Sequence, residues 1–213
     1  MITHSEAINK YISNHSDKEE EILHELYRET HKKVLHPRML SGPILGKFLE
    51  MIVKMIQPDH ILEIGTYTGY GTICMARGLK KNGILHTIEI NDELEEFITY
   101  YLKRSGEISK VRLHIGDALS IIPAIDTSFD LCFIDGDKRE YPEYLKLCKK
   151  HLNSGGFILA DNTLWDGKIL SPPDKADKHT KGIQQFNEMI KDDPELSNVI
   201  LPVRDGLTIV QKQ

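Results

Sequence analysis

Seven short apolar runs spaced along the chain after Pro58 constrain the fold more than any other feature of the sequence. They read HILEIG, GILHTIEI, KVRLHIG, FDLCFID, GGFILAD, NVILPV and LTIVQK, and five of them lead into a helix-like stretch or a long loop. Strands alternating with helices build right-handed β-α-β units, which lay the strands parallel in one sheet with helices packed against it. The last two runs are joined by RDG and predict an antiparallel hairpin instead. Ahead of Pro58 the periodicity is helical. Ile22, Leu23, Leu26 and Thr30 form one stripe, and Leu45, Leu49, Ile52 and Ile56 form another. At 213 residues the chain suits one hydrophobic core. The expectation is a single α/β domain over 1–213, with a helical portion at 1–57 and a sheet-bearing portion at 58–213.

Composition narrows the function classes. A formal charge of −5 gives no electrostatic reason to expect nucleic acid as a partner, and the one dense basic patch, KKVLHPR, reads as a solvated helix end. Cys74, Cys132 and Cys148 sit in apolar surroundings and are expected to be buried, reduced thiols. No segment has the roughly 18 apolar residues of a membrane span. The first residues lack the basic-then-apolar order of a secretory signal, so a cytoplasmic protein is expected. The segment NTLWDGKILSPPDKADKHTKG, broken by Gly167, Pro172 and Pro173, predicts a long irregular loop, and such loops are usually functional or mobile.

In open parallel sheets a ligand sits beyond the carboxyl ends of the strands. Every predicted strand exit here carries an acid: Glu63, Glu89, Asp117, the pair Asp135 and Asp137, and Asp161 followed by Asn162. Taken singly, each could be a helix N-cap; their common position is what points to a site. Glycines 65, 69 and 71 follow the first strand, where they would let backbone approach a ligand and expose N–H groups at a helix start. Their spacing, G-x-x-x-G-x-G, is not the G-x-G-x-x-G of dinucleotide binders. Glu89, after the second strand, lies where a ribose-binding carboxylate is expected, so the ligand should be a nucleoside.

Asp135, Asp161 and Asn162 are hard oxygen ligands with no cysteine or paired histidine nearby, a set suited to Mg²⁺, with Mn²⁺ or Ca²⁺ as alternatives. Lys138, three residues after Asp135, could take a proton from a hydroxyl held at such an ion. Trp165 could wall an aromatic substrate or pack its loop onto the domain. The ten histidines show no metal-ligand spacing and are read as surface or core residues.

LEIGTYTGYGT, TIEIN, GDAL, FIDGDK and LADNTLW, in this order, resemble the cation-dependent O-methyltransferases of the catechol and caffeoyl-CoA type. The resemblance runs from about Met39 to the terminal LPVRDGLTIVQK. It implies a class I S-adenosylmethionine-dependent methyltransferase fold: a Rossmann-like, seven-stranded sheet with its last strand antiparallel, helices on both faces and extra N-terminal helices. It also implies a homodimer. Gly65 and its loop (Glu63, Thr66, Tyr67, Gly69, Gly71, Thr72) would hold the methionine part of S-adenosylmethionine, Glu89 the ribose, and Asp117 with Ala118 the adenine. Met39, Asp135 and Asp137 would lie along the cofactor. Asp135, Asp161 and Asn162 would bind the cation and Lys138 would act as base, toward an aromatic small molecule with adjacent hydroxyls. One departure stands out, since Gly71 replaces a serine usual in relatives, a loss of about 1.5–3 kcal/mol at most in cofactor binding. The rivals are a nicotinamide-dependent oxidoreductase on a similar sheet and a non-catalytic nucleoside-binding protein. The glycine spacing opposes the first, and retention of the cation set with Lys138 opposes the second.

Overall fold

The computed structural model describes residues 6–172 and 177–213. Eight α-helices and seven strands are present among them. Three helices come first: α1 (Glu6–Asn14), α2 (Glu21–Lys33) and α3 (Gly42–Ile56). Then follow β1 (His60–Ile64), α4 (Tyr70–Gly78), β2 (Ile84–Glu89), α5 (Glu95–Ser105), β3 (Val111–Ile115), α6 (Ala118–Ile121), β4 (Phe129–Ile134), α7 (Tyr141–His151), β5 (Leu152–Asp161), α8 (Lys178–Asp192), β6 (Leu196–Leu201) and β7 (Leu207–Lys212). The strands form one sheet in the order β3-β2-β1-β4-β5-β7-β6. β4 is parallel to β1 and β5, and β2 to β3, while β7 runs antiparallel to both β5 and β6. The hairpin expected from RDG is therefore present, with its second strand lying inside the first. No helix among the described residues is long and apolar enough to cross a membrane.

The chain divides into two compact units. One contains His60–Gly65 and Asp117–Gln213, hence β1 and everything from α6 onward. Its interior is built from Ile61, Leu62, Leu131, Phe133, Ile158 and Leu159 on the strands and from Tyr141, Leu145, Ile183 and Phe186 on α7 and α8. Strands covered on both faces read as continuous apolar runs, as FDLCFI and FILA do. Each fully buried Leu, Ile or Phe contributes about 1.5–3 kcal/mol of transfer free energy.

The other unit holds the residues up to Asp59 together with Thr66–Gly116. On α2 the buried face is Leu23, Leu26 and Thr30, and on α3 it is Leu45, Leu49 and Val53, with Ile52 and Ile56 only half-buried. α3 lies tight against α4, because a Cβ at Gly46 would stand 2.6 Å from the Tyr70 ring. Cys74, Cys132 and Cys148 are free and buried as expected.

Candidate active site

β4 and β5 end side by side, with Ile134 opposite Ala160, and so deliver Asp135 and Asp161 to neighbouring strand ends. Lys138 opens a short 3-10 turn, Lys138–Glu140, that runs into α7. Its Nζ donates to Asp135 Oδ1 at 3.0 Å and to the Tyr141 hydroxyl at 2.7 Å, and that hydroxyl lies 2.9 Å from the carbonyl of Asp161. The lysine is buried to 8% exposure, so it is held rather than solvated. α8 fixes its backbone as well: a Cβ at Gly182 would stand 2.1 Å from the Lys138 carbonyl oxygen.

Asp161 is 0% exposed. Its Oδ1 accepts from Asn162 N at 2.8 Å, whereas Oδ2 is buried with no hydrogen-bond partner and has Arg204 Nε 3.9 Å away. Burial, then the charge of Asp135, pushes the Asp161 carboxyl up to about 6, against the pull of Arg204, Lys138 and the Asn162 N–H. A buried carboxylate oxygen without a hydrogen bond, next to a second carboxylate, is costly unless positive charge neutralises it, and here the Arg204 guanidinium does so only from 3.9 Å. Two neighbouring carboxylates are the kind of oxygen donors a hard divalent ion takes. No group of three or more His, Cys, Asp or Glu with metal-binding placement occurs among the described residues, in keeping with a set of only two carboxylates and an amide.

The segment after Asp161 is held in unusual backbone conformations, with φ of 61° at Asn162, 46° at Trp165 and 52° at Asp166. Such residues persist only where their surroundings over-determine them. Here the β6–β7 turn does so: Thr163 N donates to Gly206 O, Leu164 N to Asp205 O and Asp166 N to Asp205 Oδ1, at 3.0, 2.9 and 2.6 Å. The expectation of one long irregular loop is corrected in part. Trp165–Leu170 is a kinked 3-10 segment and α8 already begins at Lys178, because Asp177 caps it through Thr180 N. Pro173 lies outside the described residues. Trp165 stacks on His179 with ring centroids 6.1 Å apart, and its Nε1 is buried without a partner.

Asp117 and Asp137 take the capping role available to each. Asp117 accepts from Leu119 N at the start of α6, and Asp137 from Arg139 N. Arg139 holds Asp137 below the usual carboxylate range through its guanidinium. Gly65, at φ +97°, is required by its own chain, since a Cβ there would stand 2.4 Å from the carbonyl oxygen of Asp135.

In the other unit, Glu89 ends β2 nearly buried and accepts from Tyr67 N at 2.6 Å and Asn91 N at 2.9 Å. Desolvation raises its pKa, opposed by these backbone N–H groups and that of Ile90. The carboxylate thus pins the turn at Tyr67, whose φ is 52°. Thr66 and Thr87 hydroxyls meet at 2.5 Å, and Thr72 is buried in the first turn of α4. Gly69 has φ +87°, whereas Gly71 lies in α4 without a positive φ, so only two of the three glycines serve backbone conformation. Met39 is 57% exposed at the end of a 3-10 turn. His86 Nδ1 and His114 Nε2 meet at 3.1 Å across β2 and β3, a pairing that linear spacing does not display.

Comparison with known proteins assigns this arrangement. A family model described as O-methyltransferase matches residues 13–213. The caffeoyl-CoA O-methyltransferase of Medicago sativa is 32% identical over 98% of this chain and 89% of its own length. The catechol O-methyltransferase of Niastella koreensis is 36% identical over 72% of this chain and 71% of its own. Among solved structures, the O-methyltransferase TomG of Streptomyces achromogenes, involved in tomaymycin synthesis and determined in complex with SAM, superposes with a TM-score of 0.90 at 29% identity. That match covers 97% of this chain and 96% of TomG. With the family model spanning nearly the whole sequence and relatives above 30% identity over its length, the chain belongs to the O-methyltransferase family.

Proposed function

We propose that the enzyme transfers a methyl group from S-adenosylmethionine to one of two adjacent hydroxyls on an aromatic small molecule, with a divalent cation at Asp135, Asp161 and Asn162. The observation carrying this reading is the buried Asp161 carboxylate with one oxygen that has no hydrogen bond, whose charge interacts with those of Asp135 and Lys138. The cation would supply a template for the two substrate oxygens and make the bound hydroxyl more acidic. Lys138 takes the hydroxyl proton, and the resulting oxyanion attacks the methyl carbon, so that the O–CH3 bond forms as the S–CH3 bond breaks and S-adenosylhomocysteine leaves. The methyl donor is already activated, so orientation supplies most of the acceleration. Trp165 is the candidate wall for the aromatic ring.

For the cofactor, Glu63, Gly65, Thr66, Tyr67, Gly69, Gly71 and Thr72 are assigned to the methionine part, Glu89 to the ribose, and Asp117 with Ala118 to the adenine. Asp137 and Met39 are assigned to its edges. The SAM carried by TomG supports this choice of donor. The names of the caffeoyl-CoA and catechol relatives support an acceptor with vicinal hydroxyls. A homodimer is inferred from the family resemblance, and light scattering of the purified protein tests it.

The deciding experiment measures methylation of a panel of catechols and hydroxycinnamoyl esters with Mg²⁺, with chelator, and in Asp161→Ala. Turnover should need the cation and vanish in the variant. Full activity of Asp161→Ala, or indifference to chelator, removes the cation from the mechanism.

A further inference from the structure

Tyr141, the first residue of α7, is fully buried, and its ring packs edge-on against Phe186 at 5.2 Å between centroids. Its hydroxyl oxygen has three polar neighbours: Lys138 Nζ at 2.7 Å, the carbonyl of Asp161 at 2.9 Å and the carbonyl of Ile134 at 3.3 Å. A phenol has one proton to donate, and carbonyls can only accept. That proton is therefore committed to the strand-end carbonyls, and the oxygen is left to accept from Lys138. A second N–H of Lys138 goes to Asp135 Oδ1 at 3.0 Å. Two of the three substituent directions on the nitrogen are thus assigned by the protein.

We propose that Tyr141 is a positioning residue for methyl transfer: by accepting from Lys138 Nζ while Asp135 accepts from it as well, it holds the amine nitrogen at one place and leaves one direction on it for the substrate hydroxyl. The inference rests on the reading of Lys138 as the group that takes the proton. Lys138 Nζ thus donates to two fixed acceptors, Asp135 Oδ1 and the Tyr141 hydroxyl. Rotation about the terminal C–N bond would forfeit one or both of them. The same phenol proton reaches Ile134 and Asp161, the last residues of β4 and β5, so the element that orients the amine also ties together the strand ends bearing the two carboxylates. Burial holds the Tyr141 hydroxyl far above its ordinary pKa, so it stays a neutral phenol and is not itself the base.

A double-mutant cycle tests this, because it separates action through Lys138 from a general packing role. Tyr141→Phe keeps the ring and should lower kcat by about 10- to 100-fold, as a misplaced catalytic group does, with KM for the acceptor little changed. Lys138→Met should lower kcat by about 100-fold or more. In the Lys138→Met background, Tyr141→Phe should cause no further loss. Multiplicative losses in the double variant, or Tyr141→Phe at wild-type turnover, overturn the positioning role while leaving the base reading intact. Wild-type turnover of Lys138→Met overturns both. A readout without cofactor or cation accompanies the kinetics: acylation of Lys138 by an amine-reactive ester, mapped by peptide mass and referenced to the exposed Lys146, should quicken several-fold in Tyr141→Phe. An unchanged ratio contradicts the proposal. If the phenylalanine variant is recovered unfolded, Tyr141→Met, which also lacks the hydroxyl, carries the same cycle.

Discussion

Gly65→Ala should destabilise the protein by several times as much as Gly69→Ala, although the two glycines share a loop and a similar backbone. Their φ values are +97° and +87°, so the conformational strain imposed on alanine is comparable, about 1–2 kcal/mol. Restricting the unfolded chain returns about 0.4–1 kcal/mol in both cases. What separates them is space. A Cβ at position 69 meets only Ile98 Cγ2 at 3.5 Å, an ordinary contact, whereas at position 65 it would stand 2.4 Å from the Asp135 carbonyl oxygen and 2.8 Å from its carbon. Those atoms are backbone, held by Asp135 N donating to Ile64 O at 2.8 Å, and cannot swing aside as a side chain would. Overpacking of this kind adds about 1–3 kcal/mol. The expected totals are about 1 kcal/mol for Gly69→Ala and about 2–4 kcal/mol for Gly65→Ala. Urea denaturation at constant m-value measures both. Because relief of the overlap must displace Asp135, Gly65→Ala should also lose more turnover than its stability loss explains. Stabilities of the two variants agreeing to within about 0.5 kcal/mol, the scatter of inert substitutions, would refute the steric argument.

Asp161→Asn should raise the melting temperature of cation-free protein, by about 2–4 °C per kcal/mol for a chain of this size, because a buried charge is removed. The same variant should no longer be stabilised by added Mg²⁺; a lower melting temperature without cation would argue that Asp161 is electrostatically content as it stands. At the His86–His114 contact, burial holds the His114 imidazole below its ordinary pKa, so stability is complete above the unfolded value of about 6.5 and falls as pH drops below it. His114→Asn should flatten the denaturation midpoint between pH 7 and pH 5, and an unchanged slope would place the titration elsewhere. Asp205→Ala removes the acceptor for Asp166 N and should speed proteolytic cleavage in the segment after Trp165 several-fold while leaving global unfolding nearly unchanged.

The central strands β1 and β4 were legible because their runs are apolar on both faces, and the acids at the strand exits were legible because open sheets place chemistry there. Asp135, Asp161 and Lys138 are indeed gathered within one cluster. Tyr141 gave no such signal: in KREYPEY it reads as the first turn of a helix, and only the fold brings its hydroxyl to the two strand ends. The glycine loop was legible for a partly different reason from the one the structure supplies, since Gly65 is required by the approach of Asp135.

By itself, then, the sequence determined the seven strands and the two amphipathic helices ahead of them, α2 and α3, and that the last two strands form a hairpin. Local periodicity and residue chemistry are enough for that. Tertiary structure decided that β7 inserts beside β5, that Asn162, Trp165 and Asp166 hold positive φ under the grip of the β6–β7 turn, and that Lys138 is clamped between Asp135 and Tyr141. Each of these depends on hydrogen bonds or close contacts made when the chain closes on itself, and no window of adjacent residues contains them.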